Sequence, residues 1–276
     1  MTIDERIEQL DLSLFGYVEN QTTEEDKRTL LALQTAIRRR IPGYVYLEIG
    51  SYKGGSIQQH VVDPKCGGII SIDPRPGSLP DRRGTYNYFA ATAAGMLESL
   101  RQIPGAHVAK IKTFECTVSD LDPRTAGLRA DLCFVDGEHT DKAALEDARF
   151  CLGVLAENGA IAFHDANMVY GGLRAFLAEL AARKCVFRAY MLPDSIFLIE
   201  FGEIDDCETE PLRGRVRENY KAYLAGMYAN DIYVQAYPWS ITRAVREVQG
   251  FYYHSALCQT LRKAKRSIFK PKTSKS

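Results

Sequence analysis

The chain has 276 residues, of which 46% are hydrophobic, and its 35 lysines and arginines match its 35 aspartates and glutamates. That balance argues against general nucleic-acid binding, which needs a basic excess, and no apolar run is long enough to cross a bilayer. The length suits one α/β domain with extensions, with enough chain to bury a sizeable core. Seven cysteines, odd in number, scattered and without a C-x-x-C pair, argue against a zinc site or a disulfide framework. The opening Met1-Thr2-Ile3-Asp4-Glu5-Arg6 is not a signal-peptide pattern, so the expected location is cytoplasmic.

Residues 1–42 read as an N-terminal helical extension. Thr23 with Asp26 three places on is a capping-box pattern, Asp standing in for Glu. Leu30, Leu31, Leu33, Ala36 and Ile37 then fall at helical spacing. Arg38-Arg39-Arg40 sets cations at the helix end, and Pro42-Gly43 stops it. Such a helix covers one face of a sheet, or serves as a lid over a ligand site.

Residues 43–204 alternate between strand and helix signals. A β-rich run, Val45–Ile49, leads through a glycine turn to a helix expected over Ser56–Val62. The strand Gly68–Asp73 is followed by the proline-rich surface loop Pro74–Asp81, a helix over Ala90–Gln102 and a strand near His107–Phe114. Next come the strand Ala130–Asp136, the helix Asp141–Leu155, the strand Ala160–Asp165 and the helix Gly172–Arg183. Two β-rich runs, Cys185–Met191 and Ser195–Phe201, joined by Leu192-Pro193-Asp194, read as a hairpin. Alternating units of this kind imply a doubly wound, mostly parallel sheet with helices on both faces.

Residues 205–276 read as a C-terminal helical extension with a basic tail. Helices are expected over Arg213–Tyr228 and Thr242–Lys265, with an aromatic segment, Tyr233–Trp239, between them. The aromatic residues Tyr233, Tyr237, Trp239, Tyr252 and Tyr253 suit an acceptor surface, a contact between copies of the chain in a homo-oligomer, or core. The tail Lys263–Lys272 mixes cations with Ile268 and Phe269. A solvated tail is the commoner fate of such a sequence, and weak contact with an acidic membrane surface the sharper reading.

The chemistry gathers at strand ends. Leu47-Glu48-Ile49-Gly50-Ser51-Tyr52-Lys53-Gly54-Gly55-Ser56 is a strand, a glycine turn and a helix opening. Glycines let a ligand approach the backbone, and a helix start offers free N–H groups. The spacing Gly50-x-x-x-Gly54-Gly55 departs from the dinucleotide pattern G-x-G-x-x-G, and Glu48 would repel a pyrophosphate while suiting a cationic group. Asp73 ends the next strand about 20 residues on, the usual separation for a carboxylate that grips a ribose diol. Ser119 or Asp120 suits a helix cap or a hydrogen bond to an adenine amino group. Asp136 and Asp165 end two further strands, so with Glu48 and Asp73 four acids are expected to face one crevice. Hard oxygen ligands there suit Mg²⁺, which lowers the pKa of a chelated hydroxyl, and His139 is the candidate base.

The glycine segment and Asp73 resemble the first two motifs of the class I S-adenosylmethionine-dependent methyltransferases. Their fold, a seven-stranded Rossmann-like sheet with one antiparallel strand, is what the resemblance implies here. Phe134-Val135-Asp136-Gly137-Glu138-His139-Thr140 and Ala162-Phe163-His164-Asp165-Ala166 are similar to a bacterial group that includes macrolide-sugar O-methyltransferases and cephalosporin hydroxylase-like proteins. More distantly they resemble the catechol O-methyltransferases. The resemblance implies an S-adenosylmethionine site at Glu48, Gly50, Ser51, Gly54, Ser56, Asp73, Ser119 and Asp136. It implies metal ligands at Asp136 and Asp165 and a general base at His139, beside Asp136. Where the relatives place a further oxygen ligand next to the last acid, this chain has His164 before it, Ala166 after it, and Asn167 one place late. His164 then ligates or orients its neighbours. The expected activity is metal-assisted O-methylation of a hydroxyl on a sugar or glycosylated small molecule. The alternatives are a catechol-type acceptor or a protein that binds S-adenosylmethionine without catalysis.

Overall fold

The apolar runs that end in acids form the centre of the sheet, because strands covered on both faces must be apolar throughout. β1 (Tyr44–Ile49), β2 (Cys66–Ile72), β5 (Ile111–Phe114), β6 (Ala130–Val135), β7 (Leu155–Phe163), β8 (Phe187–Met191) and β9 (Phe197–Phe201) make one seven-stranded sheet. Its order is β5-β2-β1-β6-β7-β9-β8. The pairs β1–β2, β1–β6, β2–β5 and β6–β7 are parallel, and β9 runs antiparallel to both its neighbours. Every residue of β6 and of β9 is buried. The computed structural model describes residues 1–75, 77–81, 84–88, 91–125, 127–216 and 220–236. The chain divides into two compact units, Met1–Ala225 and Gly226–Ser276. Among the described residues no helix is long and apolar enough to cross a membrane.

Helices cover both faces. α2 (Glu24–Arg40) is opened by the capping box of Thr23 and Asp26 and closed by three arginines. Its Leu30, Leu31, Leu33 and Ile37 join Tyr44, Tyr46, Leu132, Phe134 and Ala160 in one buried cluster. This is the covering role expected of a helix on the sheet. α5 (Asp141–Val154) packs on β6 and β7 and against α6 (Tyr170–Ala182). Buried Arg38 bonds Asp63 through Nε at 3.0 Å and reaches Asp4 and Glu8 of the first helix. A buried guanidinium needs several acceptors, and here they pin α1 (Ile3–Glu8) to α2.

Several elements differ from the sequence expectation. α1 and the 3₁₀ turn Leu12–Phe15 were not expected. The helix expected from Ser56 is only α3 (Gln58–Val61), because turns take up the preceding residues. The loop from Pro74 holds β3 (Ser78–Asp81), paired antiparallel with β4 (Gly84–Asn87). α4 spans Ala93–Arg101, and β5 begins after a 3₁₀ turn at Val108–Lys110. In place of a helix from Arg213 there is a 3₁₀ turn, Arg213–Arg215, and then α7 (Tyr220–Ala236). The expected helix Thr242–Lys265, the aromatic residues Tyr237, Trp239, Tyr252 and Tyr253, and the basic tail lie outside the described residues.

Candidate active site

β1, β2, β6 and β7 run the same way, so the segments that follow them share one edge of the sheet. Between β1 and β6 the strand order reverses, which opens a crevice at the carboxyl ends. A cavity lies there, with about 860 Å³ of empty space that includes open solvent. Its wall carries Gly50, Asp73, Ser119 and Asp136 from the expected set, with Tyr52, Arg75, Tyr88 and Asp147 beside them.

Gly50 has a φ of 88°, and a Cβ there would stand 2.1 Å from the carbonyl oxygen of Asp136. Only glycine fits where β1 and β6 deliver their turns against each other. Asp73 is 6% exposed. Its oxygens accept the N–H groups of Tyr52 and Arg75, each at 2.6 Å, so it braces the glycine turn and sets the cavity floor together. Tyr52, Arg75 and Asp165 all take left-handed backbone, at φ 44°, 49° and 49°. Such conformations cost roughly 1–2 kcal/mol each, and here all three fall at the same sheet edge, as strained residues of binding sites do.

Four residues of the expected cofactor set sit behind this wall. Glu48 is fully buried and accepts the hydroxyls of Tyr46 at 2.6 Å and Ser56 at 2.7 Å. Burial raises its pKa to about 8, and these two donors only partly offset that. Ser51 is buried, its hydroxyl 3.5 Å from the Glu48 carbonyl. Gly54, at φ 83°, packs on α4, where a Cβ would stand 2.9 Å from Met96 Cγ. Ser119 is on the wall itself, within 2.6 Å of the Thr117 hydroxyl. Asp120 instead caps its own turn, accepting from the N–H and the hydroxyl of Thr117.

At the edge of the cavity the remaining acids meet two histidines. His139 Nε2 lies 3.6 Å from Asp136 Oδ1 and 3.3 Å from Asp165 Oδ2. Asp136, His139 and Asp165 each offer a ligand atom, and these atoms lie within 4.8 Å of one another. His164 stands behind them, 8% exposed. Its Nδ1 is 3.0 Å from Asp136 Oδ1 and its Nε2 is 3.3 Å from Asp26 Oδ2. Burial works against charge on this ring, but Asp136, Asp165 and Asp26 outweigh it and hold the pKa well above the ordinary imidazole value. Burial likewise pushes the Asp136 carboxyl up, and His164 and His139 overcome it and hold that group well below the usual range. Both ring nitrogens of His164 are directed at carboxylates, which suits the orienting role of the two expected for it.

Two residues of this constellation were not singled out as site residues in the sequence. Asp26 read as the carboxyl of a helix cap, which it is, and nothing local indicates that it also meets His164, 138 positions away. Asp147 lies on α5, where it is buried and lines the cavity. Its signal was its place one turn from Ala143 and Ala144, on the helical stripe that faces the sheet.

Residues 47–166 match the family described as "Methyltransferase domain". A curated relative, uncharacterized protein R132 of Acanthamoeba polyphaga mimivirus, is 27% identical over 129 residues, which cover 44% of this chain and 50% of that protein. The chain thus spans about half the length of the curated relative it matches. Among solved structures, the O-methyltransferase NovP superposes with a TM-score of 0.54 at 12% identity, over 73% of this chain and 100% of that one. The O-methyltransferase TomG from Streptomyces achromogenes, solved in complex with S-adenosylmethionine, gives a TM-score of 0.47 at 16% identity, over 73% and 89%. The likeness to NovP is one of fold.

Proposed function

We propose that this chain, whose residues 47–166 match a methyltransferase domain, is an S-adenosylmethionine-dependent O-methyltransferase of class I, assisted by a divalent cation, that acts on a hydroxyl of a sugar or glycosylated small molecule. The observation that carries the reading is the double position of Asp136. It lines the cavity suited to the cofactor and also belongs to the compact group with His139 and Asp165. A methyl donor and a hydroxyl held by that group would therefore be neighbours.

The donor set fits a divalent cation: two carboxylate oxygens and an imidazole nitrogen within 4.8 Å. Mg²⁺ favours the two carboxylates and retains water or substrate oxygens, which leaves His139 to proton transfer. Asp136 and Asp165 would hold the cation, which would supply Lewis acidity beside the acceptor hydroxyl, and S-adenosylmethionine would supply an electrophilic methyl group. Asp73 suits the ribose diol, and Gly50 lets the amino-acid end approach the backbone. His139 would accept the hydroxyl proton at Nε2, and Asp165 Oδ2, 3.3 Å from that nitrogen, would stabilise the imidazolium that forms. Asp136 is kept ionised and in place by His164. Positioning of acceptor and donor in line does much of the rest. The sugar acceptor rests on the resemblance of residues 134–140 and 162–166 to the macrolide-sugar enzymes.

The test is a panel of glycosides and catechols with methyl-labelled cofactor, run with wild type, His139→Ala and added EDTA. Label transfer to a glycoside hydroxyl that both changes abolish, with cofactor affinity intact in His139→Ala, supports the proposal. Transfer that His139→Ala leaves unaffected counts against it.

A further inference from the structure

β9 is buried along its whole length, yet one of its residues is an acid. Glu200 is 1% exposed and shares with Leu198 the face of the sheet that α2 covers. Its Oε1 accepts the Cys207 N–H at 3.1 Å, and its Oε2 is buried with no hydrogen-bond partner among the described residues. Two cations stand near, and both donate elsewhere. Arg188, opposite Glu200 in register on β8, donates to the carbonyl of Ile204. Arg40, at the end of α2, donates to Asp206 at 3.1 Å and to the Asn158 carbonyl at 2.7 Å. As an anion Glu200 would hold a buried charge on one hydrogen bond, whereas the neutral acid has no charge to satisfy.

The segment that reaches Glu200 follows β9 directly. It buries Ile204, Cys207 and Leu212 in the main core cluster. It also follows α2 from its end to its start. Asp206 and the Glu210 carbonyl hold Arg40 and Arg39 of the last turn, and Arg215 reaches Glu25 and Thr29 near the first. We propose that residues 204–212 are a pH-dependent latch, closed over Glu200 while that carboxyl is protonated and loosened when it ionises. Moving the 3₁₀ turn Asp206–Glu208 brings water to the carboxyl without breaking a strand. Burial, with Asp206 nearby, pushes the Glu200 pKa up to about 7, against the pull of the Cys207 N–H, Arg188 and Arg40. In the opened segment the carboxyl returns to its ordinary value of about 4.3. Closure is therefore complete below about pH 4.3. It weakens by up to about tenfold per pH unit above that, and levels off past the closed-form value of about 7. The other groups around Glu200 are Tyr190 on β8 and Asp206, Cys207 and Glu208 of the turn. Burial pushes Tyr190 up to about 12 and the Cys207 thiol up as well, so both stay neutral across this range.

Hydrogen exchange of the full chain, with no cofactor or acceptor present, tests the latch at pH 5.5 and pH 7.5. The readout is the opening constant of the amides in residues 204–212, corrected for the intrinsic rate at each pH, with buried β6 as the internal reference. In wild type the segment should open at least tenfold more at the higher pH, and β6 should change less than threefold. Glu200→Gln keeps every other charge around the site and cannot ionise, so its segment should change less than threefold. An equal rise in both proteins overturns the proposal, as does a wild-type segment that does not respond. If the variant fails to fold, the wild-type pair of measurements decides alone. A rise confined to residues 204–212 supports the latch, and one shared with β6 overturns it.

Discussion

His164 Nε2 lies 3.3 Å from Asp26 Oδ2, and its Nδ1 lies 3.0 Å from Asp136 Oδ1. One ring thus links the cap of the N-terminal helix to the carboxylate shared by the cavity and the cluster with His139 and Asp165. Asp26 is 1% exposed, and its other oxygen lies 3.4 Å from the Ser195 N–H at the turn before β9. The helix outside the matched domain therefore sets the position of the domain's central acid.

Removing one partner of a buried ion pair leaves the other charge without compensation, at a cost of roughly 3–5 kcal/mol. Asp26→Ala should lose about that much in urea unfolding at pH 7. A loss near zero would mean that the contact contributes nothing. The acid limb gives a second check. The Asp26 carboxyl is held below its ordinary value by His164, against burial. Its stabilisation is thus present above about pH 4 and fades as pH falls through the lowered pKa. The raised pKa of His164 works the other way, stabilising fully below about pH 6.5 and less as pH climbs through the raised value. The variant should flatten both limbs.

Glu48 predicts a distinct alkaline effect. Its folded-state pKa of about 8 lies above the ordinary carboxyl value. The folded protein therefore favours the protonated acid, and that contribution is complete at low pH and lost as pH rises through about 8. Glu48→Gln should be no more stable than wild type at pH 5 and more stable at pH 9, with thermal midpoints measured at both. A constant difference between the two proteins would contradict a neutral buried acid.

Gly50→Ala should fold poorly or lose stability by more than the usual 1–3 kcal/mol of overpacking. The added carbon would meet the Asp136 backbone, which cannot swing away, and φ is 88°. Denaturant unfolding, with S-adenosylhomocysteine titration on what folds, checks it. Near-wild-type stability would mean that β1 and β6 are further apart than described.

The sequence made the sheet legible because each central strand is an apolar run with an acid at or near its end, and Gly50 marked the turn. It hid what depends on contact between distant segments. α1 has six residues, too few for a periodic pattern, although Thr2 and Glu5 form a capping box. β3 lay inside a proline-rich loop whose pairing with β4 is visible only in space. Glu48 read as suited to a cationic group of the cofactor, and no local signal showed that Tyr46 and Ser56 donate to its oxygens. His164 sat beside Asp165 like a ligand, and only the fold brings Asp26 to its far nitrogen.

Calorimetric titration of S-adenosylhomocysteine into wild type and Asp73→Asn, with NAD as the competing cofactor, tests most directly whether the strand-end acids form this cofactor site. Wild type should bind S-adenosylhomocysteine near one per chain and ignore NAD, and Asp73→Asn, with one oxygen fewer for the diol, should bind at least tenfold more weakly. NAD binding in its place, or S-adenosylhomocysteine affinity untouched by Asp73→Asn, would contradict it.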